Sequence, residues 1–173
     1  MQLSKTSRFI LVILAVIALT IPAFTQADRG KAELNTISGK ITIDYGRPQL
    51  KGRDPLSWQK DGTFWRMGSN STTIFESSVD LTFGSVKVAK GKFSLWLEKV
   101  NADQYRLVLN SDTPSMGMSH DAAKDVAAVA LKKESLSAPV EVFTIELKAT
   151  TGGGAFIMTW ATIKLSADFQ IGK

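Results

Sequence analysis

Lys40-Ile41-Thr42-Ile43-Asp44-Tyr45 alternates polar and apolar side chains at every step. In an extended chain Ile41, Ile43 and Tyr45 share one face and Lys40, Thr42 and Asp44 the other, the pattern of a half-buried β-strand. From Ile37 onward this period of two dominates. It returns in Phe93-Ser94-Leu95-Trp96-Leu97, in Tyr105-Arg106-Leu107-Val108-Leu109 and in Val142-Phe143-Thr144-Ile145-Glu146-Leu147. A last run, Ala155 to Phe169, is rich in Ile, Thr, Trp and Phe, which suit a pleated surface packed on one side. These stretches predict about nine or ten short strands at near-regular spacing.

The punctuation between them fits. Gly84-Ser85 and Lys90-Gly91 bracket Val86-Lys87-Val88 as hairpin turns, Asn101-Ala102-Asp103 reads as a short antiparallel connection, and Thr151-Gly152-Gly153-Gly154 as a flexible turn. Asp121–Lys133 is rich in alanine, a good helix former, yet its Val126, Val129 and Leu131 do not settle into a helical period. It reads as a short helical turn leading into a strand. Short connections without a βαβ rhythm predict an all-β fold, a single antiparallel β-sandwich or jelly-roll-like domain over residues 28–173.

Ahead of it stands a different kind of segment. Met1–Arg8 carries Lys5 and Arg8 and no acid; Phe9 to Phe24 is apolar but for Thr20 and Pro22; Thr25-Gln26-Ala27 ends it with small residues. That order predicts a signal peptide over residues 1–27, cut after Ala27, and a periplasmic or secreted protein. A retained membrane anchor would need about 20 apolar residues, and this run has about 16. The membrane is therefore a partner only if the segment stays uncleaved.

Composition narrows the chemistry. The chain has 173 residues, no cysteine and one histidine, with 44% apolar and 21% charged residues. Disulfides, thiol nucleophiles, thiolate metal sites and sites needing several imidazoles are excluded. Removing Lys5 and Arg8 leaves 19 basic against 16 acidic residues. So mild an excess, on an exported chain, speaks against nucleic acid as a partner. No cofactor or metal ligand set stands out.

Three stretches carry a family likeness: Tyr45-Gly46-Arg47-Pro48-Gln49-Leu50-Lys51-Gly52-Arg53, the most specific; Trp65-Arg66-Met67-Gly68-Ser69-Asn70 with Thr72 and Thr73; and Val88-Ala89-Lys90-Gly91-Lys92-Phe93-Ser94-Leu95. In this order and spacing they resemble the domain of unknown function 2911 family of exported bacterial proteins, over about 37–160. The resemblance implies export and a β-rich fold, and supplies no activity. The chain departs from the family pattern at Gln59-Lys60-Asp61-Gly62, at Val88-Ala89-Lys90-Gly91, and at Ser115–His120, where the family is more aromatic and glycine-rich.

Two constellations are candidates for chemistry. Residues 40–66 hold Lys40, Arg47, Lys51, Arg53, Lys60 and Arg66 against Asp44, Asp54 and Asp61, with Trp58 and Trp65 interleaved and Asn70 close behind. Guanidinium forks suit carboxylate or phosphate, and indole faces suit sugar rings or cations. Arg47, Arg53, Trp65, Arg66 and Asn70 are thus the candidate ligand-binding residues. The structural alternative has Arg47 and Arg66 pairing with Asp44, Asp54 or Glu76, and both tryptophans in the core. The second constellation is His120 with Asp121 and Asp125, a histidine that a carboxylate could orient as a general base. Its plain alternative is an exposed loop in which Asp112 or Asp121 caps a turn.

The reading that follows favours binding over catalysis. It expects a binding module of the cell envelope recognising an anionic ligand, a glycan or a peptide. The alternatives are a hydrolase-like enzyme using His120 with Asp121 or Asp125, and a structural protein whose partner is another envelope protein.

Overall fold

Alternation builds an antiparallel, all-β architecture, seen in a computed structural model that describes residues 28–54, 56–114 and 116–172. Its ten strands are β1 (Arg29–Asn35), β2 (Lys40–Gly46), β3 (Thr63–Trp65), β4 (Ile74–Ser77), β5 (Leu81–Phe83), β6 (Val86–Val88), β7 (Gly91–Lys99), β8 (Tyr105–Asn110), β9 (Asp125–Thr150) and β10 (Gly153–Ile171). Before β9 comes one 3-10 turn, Ala122–Lys124, capped by the Asp121 carboxylate, which accepts from the Ala123 N–H at 3.1 Å. The expected signal peptide lies outside the described residues. No described helix is long and apolar enough to cross a membrane.

The strands form one open sheet in the order β1-β2-β4-β7-β8-β9-β10-β5-β6, with β3 beside β7. β9 belongs to both halves of it. From Asp125 to Leu131 it pairs with β8, and from Lys132 to Thr150 with β10. The sheet therefore folds over along β9, and the apolar faces of its two halves meet. Ile41, Ile43, Phe75, Leu95, Leu97, Leu107 and Leu109 from one half share a buried cluster with Phe143, Ile145, Phe156, Met158, Leu165 and Phe169 from the other. Each such side chain stabilises the fold by about 1.5–3 kcal/mol. Tyr45 ties the halves directly: its ring meets Phe143 edge-on at 5.7 Å, and its hydroxyl donates to the Ile145 carbonyl at 3.2 Å.

Three expectations need correcting. β9 and β10 are long, 26 and 19 residues, where short strands were expected. Pro139 did not end β9 because it falls in a bulged stretch, between Ser135 opposite Ile163 and Val140 opposite Ala161, where no regular ladder needs its missing N–H. Lys90-Gly91 is not a hairpin turn, since β6 pairs with β5 and β7 with β3, β4 and β8; the chain crosses between halves there. Finally, β1 precedes the alternation at Ile37. It buries only Ala32 and Leu34, too few to show a period.

Two of the stretches that carry the family likeness pass each other at backbone distance. At Gly46 an added Cβ would lie 2.1 Å from the Ser69 carbonyl oxygen, and at Gly68 it would lie 3.0 Å from that of Gly46. Beyond Gly46 the chain straps the free side of β9: the Phe143 N–H donates to the Pro48 carbonyl and the Leu50 N–H to the Glu141 carbonyl, both at 2.9 Å. Gly46→Ala should force the two stretches apart and lower stability by about 1–3 kcal/mol in urea denaturation, since the obstacle is main chain.

Two carboxylates at the surface, Glu33 and Glu134, bridge neighbouring strands. The Lys40 ammonium, 2.8 Å from Glu33, is the largest cause holding that carboxyl at a pKa of about 2, and Lys132, with Lys164 beside it, does the same for Glu134. Both pKa values lie below the ordinary 4.5, so the stabilisation is present above pH 4.5 and is lost as the pH falls toward about 2. Acid titration of the melting temperature should show that decline, smaller in high salt and smaller again in a Glu33→Gln, Glu134→Gln double variant.

Candidate functional site

The loop after the strap delivers the most distinctive cleft. Ser57 turns the chain by donating its hydroxyl to the Asp54 carbonyl at 2.7 Å, and its N–H to the Asp54 carboxylate. Trp58 follows, 62% exposed. Gly62, in the left-handed region at φ 75°, then turns the chain into β3, its N–H donating to the Lys99 carbonyl at 2.7 Å. Alternation along β3 sends Phe64 and Trp65 to opposite faces. Leu56, Trp58, Gln59, Lys60, Thr63, Phe64, Trp65 and Trp160 line a cleft of about 410 Å³, within the range of about 300–1,000 Å³ usual for small-molecule sites.

Trp160 reaches the cleft from β10 because the ladder breaks there. Pairing with β9 shifts on both sides of Ala161, which sits in the left-handed region at φ 50°. Bulges of this kind re-aim side chains. The Trp160 ring stacks on Trp65 with centroids 5.2 Å apart and planes 15° apart, and Phe143 abuts both rings edge-on.

Among the described residues, the buried side-chain nitrogens and oxygens without a hydrogen-bond partner are Arg29 Nη1, Gln59 Oε1 and Trp160 Nε1. Two of the three belong to residues lining the cleft. The Gln59 amide is fixed, because its Nε2 donates to the Thr63 and Leu97 carbonyls at 3.0 Å each, so its oxygen cannot turn to find a partner. A buried polar group left so costs about 1–3 kcal/mol. Lys60 is the only charged residue of the lining and forms no ion pair among the described residues.

On the opposite face of β3, Phe64 stacks on His120, centroids 3.8 Å and planes 16° apart, while Trp96 meets the imidazole edge-on at 5.2 Å. The loop is largely exposed and Asp121 caps its turn, as the plain alternative had it, yet only 7% of the His120 side chain is exposed. His120 Nε2 lies 2.8 Å from Asp125 Oδ1, which also accepts from Asn110 Nδ2 at 2.8 Å. A carboxylate only accepts, so Nε2 is the donor of this contact. Asp121 is spent as the cap of the 3-10 turn, and Asp112 accepts from Lys124 at 3.0 Å. Among the described residues no hydroxyl hydrogen-bonds His120, and no cluster of His, Asp and Glu is large enough to hold a metal ion. The dyad thus ties His120, packed on Phe64 of β3 and Trp96 of β7, to Asp125 at the start of β9.

The other candidates lie apart from the cleft lining, Trp65 excepted. Arg47 pairs with Asp28 at 3.3 Å, Arg53 Nε donates to the Leu50 carbonyl at 3.3 Å, and Arg66 donates to the Met116 carbonyl at 2.7 Å. Asn70 is exposed in the left-handed region at φ 62°. The partners suggested for the arginines differ as well, because Asp44 is taken by Arg29. The structural alternative put both tryptophans in the core; Trp65 is half-buried against it, whereas Trp58 is exposed.

Comparison with known families agrees with the likeness read in the motifs. A family model described as Protein of unknown function (DUF2911) matches residues 28–169. The chain belongs to that family. The match takes in β1 and most of β10, beyond the 37–160 stretch over which the motifs showed the resemblance. No curated protein and no solved structure matches the chain. Within this DUF2911 chain, sequence reading missed Gln59, Phe64 and Trp160 as site residues. Trp58 and Trp65 stood out through their basic neighbours, but Trp160 lies about a hundred residues away in an unbroken β pattern.

His120→Ala should remove the tie to Asp125. The expected result is a loss of about 1–3 kcal/mol of stability and faster amide exchange in residues 111–121, with β10 unchanged.

Proposed function

We propose that this chain is a binding domain of the bacterial cell envelope and that the tryptophan cleft is its ligand site. The carrying observation is a cleft walled by Trp58, Trp65 and Phe64, with the exposed indole of Trp58 at its rim and the Thr63 hydroxyl and Lys60 among its lining. Apolar walls with a few fixed polar groups are what a small ring-bearing ligand needs: area for stacking and points that set orientation. An exposed indole such as Trp58, placed at the rim, adds contact area at little ordering cost.

Export is part of this reading and is supported by the basic, apolar and small-residue order of residues 1–27. Binding is favoured over hydrolysis because the imidazole of His120 is enclosed by Phe64 and Trp96 and spends its Nε2 proton on Asp125. Arg47, Arg53 and Arg66 hold main chain or a neighbouring carboxylate, so the anion-binding role first expected of them passes to Lys60 at the cleft.

The test is a tryptophan-fluorescence titration of the full chain with a panel of saccharides, aromatic acids and short peptides. A saturable change that weakens about tenfold or more in Trp58→Ala supports the reading, since that exposed side chain contributes little to folding. A response identical in Trp58→Ala and Trp65→Ala would place binding elsewhere and remove the cleft from consideration.

A further inference from the structure

We infer that Met118 is an oxidation site whose sulfoxide is held by Arg66, so that an oxidant tightens the 116–121 loop onto the chain that follows β3. The described methionines are of two kinds. Met67 and Met158 are 0% exposed, whereas Met116 and Met118 are 53% and 80% exposed. Between these last two lies Gly117, buried and in the left-handed region at φ 53°. An added Cβ there would stand 2.6 Å from Thr72 Oγ1 and 3.5 Å from Arg66 Cδ. The loop is therefore seated on Thr72 and Arg66 at Gly117, while the methionines on either side of it reach solvent. A two-electron oxidant attacks accessible thioethers and spares buried ones.

Arg66 sets Met118 apart from Met116. Its Nη1 donates to the Met116 main-chain carbonyl at 2.7 Å and lies 3.7 Å from Met118 Sδ. Among the described residues it has no such contact with the Met116 sulfur and forms no ion pair with a carboxylate. A thioether is a weak acceptor, so the contact with Met118 contributes little as it stands. Hydrogen peroxide changes the acceptor. A lone pair of the sulfur takes one peroxide oxygen, the O–O bond breaks, and the departing hydroxide removes the proton left on the transferred oxygen. Thioether and peroxide become sulfoxide and water, the sulfur losing the two electrons that the peroxide gains. The new oxygen is a strong acceptor beside a cation that no carboxylate occupies, which turns a weak contact into a charge-assisted hydrogen bond. Oxidation of a buried methionine loosens a core, whereas here it adds a second tie between the loop and Arg66. Sulfoxide reductases reverse the step, so the tie can be released.

The experiment treats the full chain with hydrogen peroxide, maps the sulfoxides by peptide mass spectrometry, and compares amide hydrogen exchange before and after. The expected result is oxidation of Met116 and Met118 with Met67 and Met158 spared, and exchange in residues 116–121 slowed about tenfold, the scale of one hydrogen bond to a charged group. Methionine sulfoxide reductases should restore the original rate. In Arg66→Gln both exposed methionines should still oxidise, with no slowing. Should that variant not fold, Met118→Leu carries the test, since its side chain lies mostly in solvent. Peroxide should then oxidise Met116 alone and leave the exchange rate where it was. Exchange that is unchanged or faster in the oxidised chain overturns the inference. So does slowing that persists in Arg66→Gln or in Met118→Leu, and so does a Met118 that resists peroxide while Met116 reacts.

Discussion

β9 has two different neighbours along its length, and the rest of the structure depends on that exchange. Its first residues complete a ladder with β8, and from Lys132 it turns to β10. A flat sheet of ten strands would leave an apolar face in water. By crossing from one half to the other, β9 folds that face onto itself. Val129 and Leu131 on one side of the crossing and Phe143 and Ile145 on the other then belong to the same buried cluster. The bulged stretch that contains Pro139 interrupts the ladder beyond the crossing, and the strap through Pro48 and Leu50 closes the side of β9 that neither neighbour covers.

The same geometry makes the candidate site. β3 is only three residues long, yet its alternation joins two aromatic groups on opposite faces. Phe64 continues the outer group, His120 and Trp96; Trp65 continues the inner one, Trp160 and Phe143. The cleft lies where the two groups meet at β3. Two of its lining residues are held by features needed elsewhere: Gln59 spends its amide nitrogen on holding β3 to β7, and the bulge that lets β9 and β10 pair across Pro139 brings the Trp160 indole into the wall.

The arginines show how a conspicuous motif can mislead about its task. Tyr45-Gly46-Arg47-Pro48 drew attention through charge, but its physical work is done by groups with no charge at all. Gly46 lets the chain pass Ser69, Pro48 offers a carbonyl to Phe143, and the Tyr45 hydroxyl reaches Ile145. The basic residues between them secure neighbouring segments, Arg47 on Asp28 and Arg53 on Leu50.

The all-β class, the antiparallel order of short connections and the buried faces of β2, β7 and β8 were legible in the sequence, because a period of two is a local property that one strand displays unaided. Ile41, Ile43, Leu95, Leu107 and Leu109 were named by it and are fully or almost fully buried. The family likeness was legible for a related reason, since its motifs are contiguous. What the tertiary structure alone decided is which distant residues meet. Nothing local says that Trp160 will stack on Trp65, that Phe64 will cover His120, or that β9 will change partners at Lys132. Those contacts depend on a bulge, a crossing strand and an open sheet folding onto itself, and each is settled only when separated segments compete to bury the same surface.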